Sequence, residues 1–282
     1  MNISPLPDLI LEPLVKNALL EDFGRSGDVT SDALIPADHQ WQAVMTARRP
    51  GVLAGLDLAR LAFALVDPRV RFEPLVADGQ SVEAGAKLAR VAGPTRALLT
   101  AERTALNFVS HLSGIASATR LMVEAVKPHK AKICCTRKTT PGLRSVEKYA
   151  VRAGGGSNHR YGLDDGILIK DNHIAALGSL RDAVLKAREA AGHMMKIEVE
   201  VDTLDQLTQV LELPVDAVLL DNMGPDKLAE AVRMVGGRML TEASGGVSME
   251  TVAALAASGV DLISCGALTH SAAILDIGLD EE

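Results

Sequence analysis

From about residue 130 onward the chain repeats one pattern: a short apolar run, a polar loop, then an amphipathic stretch with apolar positions three or four apart. The pattern predicts strands at 131–136, 166–169, 196–201, 215–220, 238–241 and 260–264. Between the later strands, LRDAVLKAREAAG, TLDQLTQVLEL, PDKLAEAVRMVG and METVAALAASG read as helices. Several end on glycine, and Thr203, Pro225 and Ser248 stand where helices begin. Repeated strand–helix units imply a parallel sheet with helices outside it. Six strands fall short of a regular eight-stranded barrel, so an irregular, incomplete α/β barrel is expected, with an open doubly wound sheet as the alternative. Before residue 130 the texture differs. Glycine-punctuated β-like runs starting at Gln42 and Val70 lead into a helical stretch over 97–126, which predicts a small α+β domain with a long helix leading out of it.

Composition narrows the function. Of 282 residues 48% are hydrophobic but only 2% aromatic, so Leu, Val, Ile and Ala must build the core, and stacking on single-stranded nucleic acid is not expected. A net charge of −7 argues against attracting nucleic acid through the overall field. Against that acidic background, residues 130–172 carry nine Lys or Arg and four Asp or Glu. A local excess of this kind points to a site for a small ligand rich in carboxylate or phosphate. Three cysteines with no CxxC spacing, two of them the neighbours Cys134 and Cys135, read as reduced core thiols of a cytoplasmic protein. The first 23 residues lack a basic leader and carry Asp8 and Glu12, unlike a signal peptide or a membrane span.

The residues that end the predicted strands carry the chemistry. In order they are Arg137 and Lys138, Lys170, Glu200, Asp221, then Ser244, Gly245 and Gly246, then Cys265, Gly266 and Ala267. In α/β barrels that edge is the active-site face, so these residues are expected to converge on one cavity. Arginine forks suit carboxylates and phosphates, and lysines act as movable point charges. Glu200 and Asp221 offer oxygen to Mg²⁺, which keeps waters and is completed by substrate phosphates. The SGG and CGA loops can bring backbone N–H groups close to phosphate oxygens.

Each feature has a plainer reading when taken alone. A strand-end Lys or Arg is usually a solvated charge, and a lone SGG is usually a turn. Glu198, Glu200 and Asp202 alternate, so all three share a face that points either inward or toward the helices. AGGGSN lacks the Lys-Ser/Thr ending of a phosphate loop and reads as a turn, and His159 suits a structural donor as well as a ligand contact. The coincidence of six strand ends argues for a site.

Seven strings, in this order along residues 21–278, resemble the quinolinate phosphoribosyltransferase family: EDFGRSGDVTSDALIP, ERTALNFVSHLSGIAS, TRKTTPGLRSVEKYAVRAGGGSNHRYGLDDGILIKDNHI, IEVEV, VLLDNM, EASGGV and VDLISCGALTHSA. TRKTTPG followed by NHR and KDNH is the most specific part. The resemblance implies an N-terminal α/β sandwich domain over 1–112, with 269–282 returning to it, and an irregular, incomplete α/β barrel over 113–268. It implies that quinolinate and phosphoribosyl pyrophosphate become nicotinate mononucleotide, pyrophosphate and CO₂, with Mg²⁺ as cofactor. It further implies a homodimer, or a larger assembly built on it, in which Arg103 reaches the partner's site. By the family pattern Arg137, Lys138, His159 and Arg160 surround the quinolinate carboxylates, Thr136 is a further substrate-binding residue, and Lys170 lies near the reacting groups. Glu200 and Asp221 face the ribose and the metal, directly or through water or substrate, while Ser244, Gly245, Gly246, Cys265, Gly266 and Ala267 form phosphate loops. Lys138, Lys170, Glu200 and Asp221 are the expected catalytic residues.

Three other readings compete. One is the molybdenum-transport-associated homologue of the same fold, which the joint presence of TRKTTPG, NHR and KDNH disfavours. Another is a Schiff-base aldolase using Lys138 or Lys170, which calls for a desolvated amine rather than a crowd of cations. A non-catalytic nucleotide-binding protein leaves the paired acids unexplained.

Overall fold

The structure is a computed structural model and describes residues 3–282. Its contacts form two compact units. One holds the chain up to Arg120 with Thr139–Gly155 and Leu268–Glu282; the other holds Leu121–Lys138 and Gly156–Ala267.

The first unit is built on strands β1 (Gln40–Ala47), β2 (Gly51–Val52), β3 (Arg71–Pro74), β4 (Ser81–Val82), β5 (Lys87–Pro94) and, from the far end of the chain, β12 (Ile277–Glu281). Four of them form an antiparallel sheet in the order β12-β1-β5-β3, and β2 pairs with β4. The pairing of Ala47 with Ile277 and Ala43 with Glu281 brings the C-terminal residues into this sheet. Ala43, Val44, Met45 and Ala47 are all buried, as is Phe63 on helix Leu56–Val66, whose ring stands 6.1 Å from that of Phe72. Asp78 caps that helix: its carboxylate accepts from the N–H of Gly55 (2.8 Å), the N–H of Leu56 (3.3 Å) and the hydroxyl of Tyr149 (2.8 Å). Burial nevertheless holds the Asp78 carboxyl above its ordinary value. The long helix runs Thr95–Val126, two residues longer at its start than the sequence pattern indicates. The glycine run that reads as a turn is one, with Gly155 at φ 93° and a Cβ on Gly154 running into Ala116 O and Thr119.

The second unit is a parallel sheet of β6 (Lys132–Cys134), β7 (Ile167–Ile169), β8 (Ile197–Val201), β9 (Ala217–Asp221), β10 (Leu240–Ser244) and β11 (Leu262–Ser264). Its order is β6-β11-β10-β9-β8-β7, so β6 and β7 are the two edges and the barrel is incomplete. Alternate residues divide sharply between the faces. Ile169, Val199, Val201, Val218, Leu220, Ala243 and Ile263 are buried on the helix side, and the residues between them face inward. Two helices start where the sequence marks them, Thr203 accepting from Gln206 N–H and Pro225 occupying the first position of its helix, and Ser179, not among the marked starts, caps another by accepting from Asp182 N–H. The last is shorter than METVAALAASG indicates, covering only Val252–Ala257, with the Ser248 carbonyl accepting from Thr251 and Val252 in a preceding turn.

One strand is displaced from its expected place. Residues 238–241 were the expected run, yet β10 is Leu240–Ser244. Gly236 and Gly237 both have positive φ, and the Arg238 guanidinium turns back to the carbonyls of Val235 and Met234. Residues 236–239 therefore close the preceding helix.

At the other end of the strands Asp216 gathers the N–H of Ile197 and the side chains of Lys196 and Arg188, each at 2.9 Å. Burial opposes its charge, but these donors outweigh it and hold the carboxyl down to about 2. Its stabilisation is present above its unfolded value near 3.8 and is lost as pH falls through about 2. Asp216→Asn should lower the thermal midpoint near neutral pH by an amount equivalent to about 1 kcal/mol, with the gap to wild type closing below pH ~3 in a pH-resolved melting series.

Candidate active site

Nine of the expected site residues, Thr136, Arg137, Lys138, His159, Arg160, Lys170, Glu200, Asp221 and Ser244, line one cavity of about 410 Å³. Strands β7 to β11 build it from their inward alternation, adding Leu168, Leu219, Glu242 and Ser264. Glu200 and Asp221 stand at the ends of adjacent parallel strands, Asp221 level with Ser244 on the next strand.

The cations are arranged by specific contacts. Lys138 N–H donates to Thr136 Oγ1 (3.0 Å), and Arg160 Nη1 donates to Gly166 O (2.8 Å), which fixes the planar fork from outside the cavity. Burial, and then the charge of Arg137, lowers the Arg160 pKa, with Asp165 and Glu198 opposing. A guanidinium whose charge is opposed by burial and by a neighbouring guanidinium is suited to an anion beside it. Lys170 Nζ donates to Glu200 Oε2 at 2.6 Å, and its backbone N–H donates to His173 Nδ1 at the start of helix Asp171–Leu177. Nearly half exposed and ion-paired, Lys170 is not the desolvated amine that a Schiff-base mechanism needs.

The basic stretch is less of a unit than its charge suggests. Only Arg137, Lys138, Arg160 and Lys170 of its nine cations line the cavity. Lys130 pairs with Asp261, Arg144 donates to Thr139, Lys148 is buried in helix Arg144–Ala153, and Arg152 lies 5.7 Å from the Tyr149 ring centre.

The phosphate-loop expectation is met in part. Ser244 lines the cavity, whereas Gly245, Gly246, Cys265, Gly266 and Ala267 are not among its lining residues. Cys265 is buried, its N–H bonded to Cys134 O and its thiol directed at Val247 O (3.7 Å), so this part of the loop is tied to β6 and to the SGG turn. Gly245 (φ 88°) and Gly246 (φ 59°) make that turn, and a Cβ on Gly245 would run into Asn222 Oδ1. Asn222 is itself left-handed (φ 53°), donates its side-chain amide to Asp221 Oδ2 (2.6 Å) and its backbone N–H to Ser244 O (2.9 Å). The acid and the glycine turn are thus locked together. Gly245→Ala should cost about 1–3 kcal/mol through strain and displacement of Asn222, read as a lower thermal midpoint.

One further acid, Glu242, lines the cavity, and another, Glu198, contacts its His159. The alternation of β8 turns Glu198 and Glu200 inward, settling which face they share. Glu198 Oε2 accepts from His159 Nε2 at 2.9 Å, and the Arg160 N–H donates to His159 Nδ1 at 2.8 Å, so His159 is a structural donor as well as a cavity residue. Glu242 is 2% exposed, with Oε1 3.7 Å from His159 Nε2. Burial, and then the Glu198 charge, push its carboxyl up to about 7 against the pull of His159. Sequence reasoning missed Glu242 because β10 was placed too early. Two-residue spacing from the strand-end Ser244 is the signal that would have found it.

Arg103 lies elsewhere. It is exposed on helix Thr95–Val126 and lines a separate cavity of the first unit with Glu21, Asp22, Asn107, His111 and Thr140.

The chain matches two family profiles described as quinolinate phosphoribosyl transferase, the N-terminal domain over residues 28–113 and the C-terminal domain over residues 115–280. It is 45% identical to a probable nicotinate-nucleotide pyrophosphorylase [carboxylating] of Bacillus subtilis, covering 96% of this chain and 93% of that protein. It is 48% identical to the nicotinate-nucleotide pyrophosphorylase [carboxylating] of Mycobacterium leprae, covering 94% and 95%. The solved nicotinate-nucleotide pyrophosphorylase of Francisella tularensis superposes with a TM-score of 0.95 at 38% identity, over 100% of this chain and 99% of that one.

Proposed function

The chain belongs to the quinolinate phosphoribosyltransferase family, and from that premise we propose how its cavity divides the work. The reaction transfers the phosphoribosyl group of phosphoribosyl pyrophosphate to quinolinate with decarboxylation, giving nicotinate mononucleotide, pyrophosphate and CO₂ in NAD biosynthesis. The observation that carries the assignment is the gathering of opposite charges on one cavity, Arg137, Lys138, His159, Arg160 and Lys170 with Glu200 and Asp221.

Arg137, Arg160 and Lys138 bind and orient the two quinolinate carboxylates, so that the pyridine nitrogen meets the ribose anomeric carbon. As pyrophosphate leaves, positive charge develops on that carbon, and the carboxylates of Glu200 and Asp221 stabilise it. Lys170, held by Glu200, is placed to meet negative charge on the departing oxygens. Ser244, level with Asp221 at the start of the SGG turn, adds a hydroxyl on the phosphate side. Once the ring nitrogen is bonded to ribose it is cationic, and the ring then accepts the electrons released as the neighbouring carboxylate departs.

Glu200 and Asp221 fit Mg²⁺: both are oxygen donors on adjacent strand ends of one cavity, and an ion that keeps several waters and takes substrate phosphates needs no larger cage. When bound, the ion would neutralise charge on the pyrophosphate.

The same reading includes a homodimer with Arg103 reaching the partner's site, and a cytoplasmic location. Leu9 (86% exposed), Leu20 and Leu34 give the first unit an apolar surface that a partner would cover. The three cysteines are thiols, and among the described residues no helix is long and apolar enough to cross a membrane. Inactive Arg103→Ala and Arg160→Ala subunits, mixed under verified exchange, should recover about a quarter of wild-type activity, since half the dimers are mixed and each carries one intact site. No recovery would remove Arg103 from a shared site. The activity itself is tested by incubating the protein with quinolinate, phosphoribosyl pyrophosphate and Mg²⁺ and following nicotinate mononucleotide by chromatography; no product from folded protein would refute it.

A further inference from the structure

At the cavity floor two carboxylates meet one imidazole hydrogen. His159 Nδ1 already accepts the Arg160 N–H (2.8 Å), so the ring has a single hydrogen, on Nε2, and Glu198 Oε2 receives it at 2.9 Å. Glu242 Oε1 lies 3.7 Å from the same nitrogen and is buried without a hydrogen-bond partner. Its Oε2 faces the Cys134 thiol at 3.9 Å, with the Ser264 hydroxyl also bonded to the carboxyl. Each surrounding element contributes one group: Glu198 from β8, Cys134 from β6, Ser264 from β11 and His159 from the loop that follows the glycine run. Arg137, Lys138, Arg160, Lys170, Glu200 and Asp221 line the rest of the cavity.

Two neighbouring carboxylates, one buried and one half-buried, that share one imidazole hydrogen do not both readily remain ionised. Glu242, the more buried of the two and the one whose oxygen His159 does not reach within hydrogen-bond distance, is the one that keeps a proton, in keeping with its elevated pKa of about 7. A metal ion is a poorer occupant of the trio, although its ligand atoms lie within 4.8 Å of one another. An ion on Nε2 would displace the hydrogen that Glu198 accepts, while Nδ1 is engaged by Arg160.

The reaction proposed above consumes a proton, and this inference rests on that reading. When the carboxylate next to the ring nitrogen departs as CO₂, the carbon–carbon bond breaks and its electron pair stays on the ring carbon. That carbon must then gain hydrogen. Arginines do not give up protons, and Lys170 is held by Glu200. We propose that Glu242 is the acid that delivers this proton: its O–H bond breaks as the ring C–H bond forms, and water in the cavity reloads the resulting carboxylate.

Glu242→Gln keeps the shape and removes the acid. It should bind quinolinate within about 2-fold of wild type and release first-turnover pyrophosphate within about 3-fold, while CO₂ release falls on the order of 100-fold or more. Wild-type CO₂ release should decline as pH rises through about 7, where Glu242 loses its proton. In D₂O the wild-type enzyme should exchange the ring C2 hydrogen of nicotinate mononucleotide, faster as pH rises through the same range, and Glu242→Gln should not. CO₂ release within about 3-fold of wild type in Glu242→Gln, or C2 exchange that persists in it, would overturn the proposal. If Glu242→Gln does not fold, the wild-type exchange profile decides: exchange that is absent, or flat across pH 6 to 8, excludes Glu242. A wild-type protein that makes no nicotinate mononucleotide contradicts the reaction, a failure separate from either of these.

Discussion

Arg160→Ala lowers quinolinate affinity by about 3 kcal/mol, on the order of 100-fold, while leaving phosphoribosyl pyrophosphate binding within a few-fold of wild type. The size follows from what the side chain is asked to do. Its fork is held by the Gly166 carbonyl at 2.8 Å, faces Arg137 in a half-buried setting, and is itself destabilised as a cation by burial and by that neighbour. A dianion relieves that repulsion as it binds, so removing the fork forfeits a charged bidentate contact made away from bulk water. Arg160→Lys should recover only part of the loss, because a point charge does not reproduce the planar pair of donors. Calorimetric titration with quinolinate checks both variants; unchanged affinity in the alanine variant would take Arg160 out of the quinolinate subsite.

Asp221→Ala lowers kcat by about 10²–10³-fold with little change in quinolinate affinity. Asp221 is held at the end of β9 by Asn222, which donates to it at 2.6 Å and is itself pinned to Ser244. The carboxylate therefore occupies a fixed place when charge develops at the ribose carbon, and alanine leaves that charge without a nearby counterpart. Since Asp221 is also a proposed Mg²⁺ contact, the variant should need more Mg²⁺ to reach half its own maximal rate. A magnesium titration of initial rates and a quinolinate titration on the same preparation separate these effects. Full activity at limiting Mg²⁺ would exclude both roles.

Much of this site is legible in the sequence because a parallel sheet makes a simple promise: strand ends converge. Arg137, Lys138, Lys170, Glu200, Asp221 and Ser244 are scattered over more than a hundred residues of sequence, yet line one cavity. Glu242 was hidden by a boundary. The helix preceding β10 ends through Gly236, Gly237 and the backward turn of Arg238, and those residues look in sequence like the start of the strand. The ambiguous face of IEVEV required the burial of Ile197, Val199 and Val201 against helices before Glu198 and Glu200 could be placed inward. The basic stretch divides as its helical part suggests: Lys130, Arg144, Lys148 and Arg152 read in sequence as helix surface or dimer contact rather than cradle, and none of them lines the cavity. Charge counts along a chain ignore which way a helix turns, and Lys148 is buried within Arg144–Ala153 instead of on its surface. Local pattern also gave no sign that Thr139–Gly155, lying between the TRK and NHR motifs, belongs to a different compact unit from both. That assignment depends on contacts remote in sequence.

The claim at the centre is that one cavity binds quinolinate and the phosphoribosyl donor together and couples transfer to decarboxylation. It is tested most directly with quinolinate carrying isotopic carbon in one carboxylate at a time. Labelled CO₂ should appear only from the carboxylate adjacent to the ring nitrogen, only when phosphoribosyl pyrophosphate is present, and mole for mole with pyrophosphate. Release without the phosphoribosyl donor, or from the other carboxylate, would contradict the coupling.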